Sequence, residues 1–146
     1  MKYGKVILGI IAIAISATGY GQCSTDAFMD KCASALGSST FIKSYEIKSG
    51  QSSKDKPNQF SYVFSKGSTY MVVICDQNIE GQKMIVTLYD RDKKMIASNY
   101  NKKTKKFYPT LTYNCSATGV YYLDSYFEGD KTATCGVNIL GFNKPK

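Results

Sequence analysis

Hydrophobic and polar positions alternate along most of the chain beyond residue 40, in short runs separated by Gly, Asn, Asp, Ser and Lys. Phe60, Tyr62 and Phe64 occupy every second position of one run, and Leu111 and Tyr113 do so in a later one. Successive side chains of a strand point to opposite faces, so a period of two indicates a half-buried β-strand. The pattern predicts eight strands, at residues 41–47, 59–65, 69–76, 83–90, 95–99, 107–115, 120–127 and 133–142.

Two segments depart from this alternation. The run Tyr70–Cys75 is apolar at every position, which favours a central strand covered on both faces, by the sandwich core and by an N-terminal helix. Before the strands, Phe28, Cys32 and Leu36 recur at helical spacing ahead of a glycine, which is typical of a helix end. The sequence therefore predicts a short helix over residues 24–36.

The first 21 residues have the pattern of a secretory signal. Lys2 and Lys5 make the start basic, and the run Val6–Ala17 is almost entirely apolar. This run is shorter than the ~20 residues that a membrane-spanning helix needs, so we expect cleavage before Gln22 rather than a retained anchor. The predicted division is a signal peptide at 1–21, an N-terminal helical segment at 22–40 and one β-sandwich domain at 41–146.

Composition narrows the classes of function. The chain has 19 basic and 11 acidic side chains, a net charge of +8 that falls to +6 without the signal region. Arg91 is its only arginine, the residue best suited to phosphate and base recognition, so nucleic-acid binding is not expected. The chain has no histidine, the commonest general base and zinc ligand. No enzyme activity, catalytic residue, metal or cofactor is predicted.

Two acidic clusters contain the oxygen ligands that calcium prefers. One combines Asp124, Glu128 and Asp130, and the other combines Asp90 and Asp92. Surface turns commonly contain such residues, and neither cluster has the spacing of a defined calcium loop. The sequence therefore predicts no calcium site.

Four runs resemble a known family, at residues 60–64, 70–74, 85–98 and 117–123. In the last run Gly119 permits a tight turn before Tyr121 and Tyr122. These runs resemble the bacterial pre-peptidase C-terminal domain, a jelly-roll-like sandwich that accompanies secreted proteases. The resemblance implies an all-β, jelly-roll-like antiparallel β-sandwich of about eight strands with an accessory binding role. Acidic residues that the family carries before its fourth strand are replaced here at 81–83, so calcium binding is not carried over.

All five cysteines lie beyond the predicted signal, where an oxidising compartment would let them pair. The jelly-roll order implied by the resemblance places the eighth strand between the first and the third, with the sixth on the other side of the third. That order implies a Cys75–Cys135 bridge and a Cys32–Cys115 bridge. The alternative is a local Cys23–Cys32 bridge that leaves Cys115 free.

The chain contains 12 Tyr and 7 Phe, more rings than a sandwich of this size can bury. Surface tyrosines suit stacking on sugars or anchoring a protein, and the alternative is that these rings fill the core. The lysine-rich link after the fifth strand could contact an anionic polymer or lipid surface, or be a solvated loop. The predicted binding surface comprises Tyr100, Lys102, Lys103, Lys105, Lys106, Tyr108, Tyr121 and Tyr126, with Tyr122 as a further surface ring.

Together these features predict a non-catalytic accessory module that is exported to the periplasm, the cell surface or the medium. It would bind a polysaccharide or a protein partner through an aromatic-rich face of the sandwich. The alternative is a structural or assembly subunit of a cell-envelope or secretion complex, and an inhibitor of secreted enzymes is a third hypothesis. Membrane contact is expected only through an uncleaved signal.

Overall fold

The computed structural model describes residues 24–77, 83–129 and 134–145, and the predicted signal peptide lies outside them. The helix and seven of the eight predicted strands lie within two residues of their expected positions. In the described part of the chain, no helix is long and apolar enough to cross a membrane. The elements are α1 (Asp26–Ser34), β1 (Thr40–Lys48), β2 (Asn58–Phe64), β3 (Thr69–Asp76), β4 (Met84–Tyr89), β5 (Met95–Ser98), β6 (Tyr100–Asn101), β7 (Lys106–Phe107), β8 (Thr110–Asn114), β9 (Gly119–Phe127) and β10 (Cys135–Asn143).

Eight of these strands form two four-stranded antiparallel sheets. Sheet A has the order β1-β10-β3-β8, and sheet B has the order β2-β9-β4-β5. If these eight strands are numbered 1 to 8 along the chain, leaving out the short β6 and β7, the orders become 1-8-3-6 and 2-7-4-5. This is the arrangement of a jelly roll. The predicted all-β sandwich and its strand order are confirmed.

The predicted sixth strand, at 107–115, is two separate pieces. Its start belongs to β7, which pairs with β6 in a small hairpin, and its remainder is β8 in sheet A. Tyr108 donates its N–H to the Asn99 carbonyl at 2.8 Å, and the Pro109 carbonyl accepts from Ile74 N–H at 2.8 Å. The chain therefore crosses from sheet B to sheet A at these two residues, since Pro109 has no N–H with which to continue a ladder.

The main core lies between the sheets. Each large apolar side chain buried there contributes about 1.5–3 kcal/mol relative to exposure. Aromatic rings form its centre, with Phe64 stacked on Tyr70 at a centroid distance of 3.7 Å and on Tyr121 at 4.7 Å. The core comprises Tyr45, Ile47, Phe64, Tyr70, Val72, Ile74, Met84, Val86, Leu88, Leu111, Cys115, Tyr121, Leu123, Phe127 and Leu140.

A second apolar cluster lies on the outer face of sheet A, beneath α1. Leu36 and the α1 residue Cys32 pack against Val73 and Ile139 of the sheet. This cover explains why β3 is apolar at positions facing both ways. The approach is close at Gly141, where a Cβ atom would lie 2.7 Å from the Leu36 Cδ2 atom, so a larger residue there would displace the segment after α1.

The disulfide that joins α1 to sheet A links Cys32 to Cys75, with a Cα–Cα distance of 6.1 Å. The predicted Cys75–Cys135 pairing is therefore wrong. In the β3–β10 register Cys75 lies opposite Val137, two positions from Cys135, and it belongs to the outer cluster that contains Cys32. Cys135 is also disulfide-bonded, but not to Cys75.

The predicted Cys32–Cys115 pairing is also wrong, because Cys115 is free and buried. Cys115 belongs to the core between the sheets, whereas Cys32 lies in the cluster on the opposite side of sheet A. The alternative Cys23–Cys32 pairing fails because Cys32 is already bonded, although its expectation of a free Cys115 agrees with the structure. Cys23 itself lies outside the described residues.

Asn99 completes the edge of β4 after β5 ends. Its side chain is 2% exposed; its Oδ1 accepts from Val86 N–H at 2.8 Å and its Nδ2 donates to the Met84 carbonyl at 3.0 Å. The Asn99 backbone N–H also donates to the Val86 carbonyl at 3.1 Å. One side chain thus satisfies buried backbone groups that would otherwise lack partners, and it holds the start of the β6–β7 hairpin in place.

We expect Asn99→Ala to lower the free energy of unfolding by about 1–3 kcal/mol, because it leaves Val86 N–H and Met84 C=O buried without partners. Urea denaturation monitored by circular dichroism measures this loss. Asn58→Ala, at a half-buried position on β2, is the matched control and should change stability by less than about 0.5 kcal/mol. Equal losses in the two variants would contradict the role of the Asn99 side chain.

Candidate functional site

The outer face of sheet B carries a row of polar and aromatic side chains along β9. Leu123 and Phe127 belong to the core, so the alternate positions Tyr122, Asp124 and Tyr126 point outward. These three are partly exposed, in contrast to the buried positions between them. Strict alternation along a nine-residue strand therefore sorts one half of β9 into the core and presents the other half to solvent.

The neighbouring strand β4 continues this face. Val86 and Leu88 lie in the core, which turns Thr87 and Tyr89 outward. In the β4–β9 register Tyr89 lies opposite Tyr122. Directly opposed residues of antiparallel strands have Cβ atoms about 4.5–5.5 Å apart, so these two rings are neighbours on the surface.

Tyr100 and Tyr126 extend the row of rings toward the β6–β7 hairpin. Burial raises the pKa of Tyr126, and its electrostatic interactions with Glu128, Tyr89 and Tyr100 raise it further. The Tyr126 hydroxyl is therefore protonated at neutral pH and can donate a hydrogen bond. Tyr100 is held by stacking on Phe107, at a centroid distance of 4.5 Å. We call this surface the tyrosine face; it comprises Tyr89, Tyr100, Tyr122, Asp124 and Tyr126.

A chain of polar contacts crosses one end of the tyrosine face. Lys93 Nζ lies 3.1 Å from the centroid of the Tyr122 ring and donates to Gln59 Oε1 at 2.8 Å. Gln59 Nε2 in turn donates to Asp124 Oδ1 at 2.7 Å. A cation over an aromatic ring is attracted by the ring's negative face. The contacts hold an ammonium, an amide and a carboxylate at fixed positions beside an aromatic surface.

The turn between β4 and β5 positions Lys93. Its φ of 60° is uncommon for a residue with a side chain. The Asp90 Oδ1 atom accepts from the N–H groups of Asp92 and Lys94, both at 2.9 Å, and Lys93 N–H donates to the Asp90 carbonyl at 3.1 Å. Asp90 therefore fixes the turn from which the Lys93 side chain reaches Tyr122 on β9.

This arrangement places hydrogen-bonding groups beside aromatic rings. Flat aromatic side chains stack on the apolar face of a pyranose, and polar groups beside them exchange hydrogen bonds with its hydroxyls. Tyr122 and Tyr126 are four residues apart on one strand, or about 13 Å, and Lys93 Nζ covers one face of the Tyr122 ring. A sugar chain stacked on Tyr126 could therefore reach the Lys93 ammonium at Tyr122.

The predicted binding residues fall into separate groups. Tyr126 lies on β9 and Tyr100 at the start of the β6–β7 hairpin, and the two side chains interact electrostatically. Tyr108 is 48% exposed but lines a different groove, beside Phe28 and Lys31 of α1. The four predicted lysines are all exposed; Lys102, Lys103 and Lys105 lie in the turn after β6, and Lys106 begins β7.

Tyr121 was predicted to lie on the binding surface, and this prediction is wrong. Its side chain is 5% exposed because β9 turns it into the core, where it stacks on Phe64. Its hydroxyl donates to the Ala117 carbonyl at 2.8 Å. Burial raises the pKa of Tyr121, and hydrogen bonds with Tyr113 and Cys115 raise it further. Tyr121 therefore supports the fold rather than a ligand.

Sequence reasoning did not single out Tyr89, Gln59 or Lys93. Tyr89 could have been found, because alternation from the apolar positions of β4 places it outward. Gln59 and Lys93 belong to the face through contacts between β2, β9 and the β4–β5 turn, across 34 residues of sequence. No local pattern indicates such contacts.

The two acidic clusters have other contacts in the structure. Asp124 accepts from Gln59, and Asp90 holds the β4–β5 turn. Asp92 forms an exposed ion pair with Arg91 at 3.6 Å. Asp130 lies outside the described residues, and among residues 24–77, 83–129 and 134–145 there is no group of three or more metal-ligating side chains.

A cavity of about 450 Å³ opens at one end of the sandwich, between the β4–β5 turn and residues 116–120. Its polar lining includes the hydroxyl of Tyr113, which lies 3.3 Å from Ser116 Oγ and 3.4 Å from the Tyr121 hydroxyl. Cys115 Sγ donates to the Ala117 carbonyl at 3.1 Å. These groups bond to one another and to the backbone, so they stabilise the turn before β9.

No protein-family model matches the chain, and a search of curated proteins finds no match.

Proposed function

We propose that this protein is an exported, non-catalytic accessory module that binds a polysaccharide on the tyrosine face. The observation that carries the proposal is the juxtaposition of outward-facing tyrosines with the Lys93–Gln59–Asp124 contacts on one sheet surface. The resemblance to the pre-peptidase C-terminal domain also supports an accessory role, because domains of that family are accessory modules. The strands have the jelly-roll order that this resemblance implies.

A glycan suits this face better than a protein partner because its polar groups are already arranged among the rings. Tyr89, Tyr122 and Asp124 are all partly exposed, so the surface is neither a closed pocket nor a large apolar patch. Protein interfaces are centred on desolvated apolar anchors with the polar groups at the rim. Here the carboxylate of Asp124 lies between Tyr122 and Tyr126 on the same strand.

Two observations support a non-catalytic role. The chain has no histidine, and its free thiol, Cys115, is buried and bonded to the Ala117 carbonyl. An activated nucleophile needs an adjacent base and access to substrate. On the tyrosine face Asp124 is the central carboxylate, and its described partner is the amide of Gln59 rather than a second carboxylate.

Export is supported by the Cys32–Cys75 disulfide, because such bonds form and persist in oxidising compartments. The basic start and apolar run of residues 1–21 provide the matching signal. N-terminal sequencing of the protein recovered from outside the cytoplasm tests this part of the proposal. A chain that begins at Gln22 is expected, and an intact Met1 would contradict cleavage.

For glycan binding, we expect Tyr122→Ala and Tyr126→Ala each to weaken binding by at least about tenfold, the loss typical of truncating a ring at the centre of a binding surface. Affinity electrophoresis in gels containing a soluble polysaccharide measures this effect, and a panel of xylan, β-glucan, mannan, pectin and alginate identifies the ligand. Calorimetry on the retarding polysaccharide then gives the dissociation constants.

Tyr108→Ala is the matched control, since Tyr108 is an exposed tyrosine outside the tyrosine face. It should leave retardation unchanged. If retardation depends on Tyr108 and not on Tyr122, the binding site lies in the groove beside α1 rather than on the tyrosine face. Absence of retardation by every polysaccharide in the panel would contradict the proposal and favour a protein partner.

A further inference from the structure

Three of the four sheet edges carry features that discourage pairing with another strand. The β1 edge has exposed Lys43, Glu46 and Lys48, and its register shifts between Phe41 and Lys43. The β5 and β8 edges are short, at four and five residues, and they lie against each other. Charges, irregular pairing and short length are the usual means by which native proteins protect an edge.

The fourth edge, β2, has none of these features. Residues Asn58–Phe64 include no charge and no proline, and their pairing with β9 runs without a register shift. Ser61, Tyr62 and Val63 are all exposed, Tyr62 at 38% and Val63 at 56%. Ser61, Tyr62 and Val63, with Val120 beside them, line a shallow groove of about 440 Å³ along this edge.

We propose that β2 pairs with β2 of a second copy of this chain, antiparallel and about a two-fold axis at Tyr62. A two-fold axis makes the contact self-complementary and closes the assembly at two chains. The unpaired N–H and C=O groups of each β2 edge would bond to those of the other. The exposed side chains of Tyr62 and Val63 in each chain would then be covered by β2 of the other chain.

Charge favours this register over the one with its axis at Ser61. An axis at Ser61 would place Lys56 of each chain opposite Lys66 of the other, and like charges directly opposed are destabilising. An axis at Tyr62 places Lys66 opposite the uncharged Asn58, and Ser61 opposite Val63. The overlapping segment, residues 60–64, then contains no charge on either chain.

Such pairing would join the two copies of sheet B into one eight-stranded sheet. The two tyrosine faces would lie on the same surface of that sheet, because a two-fold axis at the edge of a sheet is perpendicular to it. The contact involves few residues and is small by the standards of permanent dimers, so we expect a dimer that dissociates on dilution.

Sedimentation velocity over a wide range of protein concentrations tests the proposal. The unmodified protein is expected to shift from monomer to dimer as the concentration rises. Val63→Lys, which introduces two charges into the uncharged contact, should raise the dissociation constant by at least about tenfold. Val63 is exposed, so an unchanged circular dichroism spectrum and melting temperature will show that the variant remains folded.

A cross-linking variant tests the register independently. Opposed residues in antiparallel strands have Cα atoms about 4.5–5.5 Å apart, within the range of a disulfide. Tyr62→Cys should therefore form a covalent dimer on mild oxidation, whereas the control Thr112→Cys, on the β8 edge, should remain monomeric. A protein that stays monomeric at all concentrations, a dimer that Val63→Lys leaves intact, or growth into large aggregates would each overturn the proposal.

Discussion

Replacement of Phe64 by alanine is expected to lower the free energy of unfolding by about 3–5 kcal/mol. Phe64 is 1% exposed and stacks on Tyr70 and Tyr121, so its removal leaves a cavity between two rings that no neighbour can fill. A single domain is stabilised by about 5–15 kcal/mol in total, so this loss is a large fraction of the whole. Guanidinium or urea denaturation provides the measurement.

The adjacent residue supplies the control. Val63→Ala removes an exposed side chain from the same strand and should cost less than about 0.5 kcal/mol. Both variants replace a β2 side chain by alanine, so both change the strand propensity of the same strand. The difference between their losses in free energy of unfolding therefore reports the effect of burial. A loss below about 1 kcal/mol for Phe64→Ala would show that the aromatic stack is not the centre of the core.

Removal of the Cys32–Cys75 disulfide by the double substitution Cys32→Ala and Cys75→Ala is expected to cost about 4 kcal/mol. The bond closes a loop with a sequence separation of 43, and the chain-entropy model gives this value for a loop of that length. It also attaches α1 to sheet A, so amide exchange should rise more in α1 than in β9. Denaturation and hydrogen exchange measure the two effects.

Cys115→Ala is the control for loss of a buried sulfur without loss of a bond, and it should cost about 1–2 kcal/mol. If the double variant is no less stable than Cys115→Ala, the disulfide contributes little beyond its packing. If exchange rises equally in α1 and β9, the bond stabilises the sandwich as a whole rather than the attachment of the helix.

Strand positions were predictable from the sequence because the alternation is strict and the turns are marked. In β9, for example, every second residue from Tyr121 to Phe127 is buried, and the aromatic and β-branched content of the run marks it as a strand. The strand order followed from the resemblance to a jelly roll. It is confirmed by the pairing of β10 between β1 and β3.

The disulfide pairing was not predictable from strand order alone. Order places the end of β3 near the start of β10, but it does not give the register, in which Cys75 lies opposite Val137. Nor does it say on which side of sheet A a cysteine lies. Cys32 could be assigned to Cys75 only once α1 was known to pack on the outer face.

The tyrosine face was predictable in part. The aromatic content correctly indicated tyrosines that are at least partly exposed, among them Tyr100, Tyr122 and Tyr126. Tyr121 was misplaced because its neighbour Tyr122 shares its chemistry, and only the phase of the alternation separates an inward ring from an outward one. Gln59 and Lys93 join the face through tertiary contacts, for which sequence gives no signal.

The first described residues approach the sandwich from the side of sheet A. Thr25 donates a hydrogen bond to Glu46 of β1, and α1 covers the outer surface of that sheet. The tyrosine face is on the opposite side, some two sheet layers away. An attachment made near Thr25 would therefore lie beside sheet A, and the rings of sheet B would point away from it.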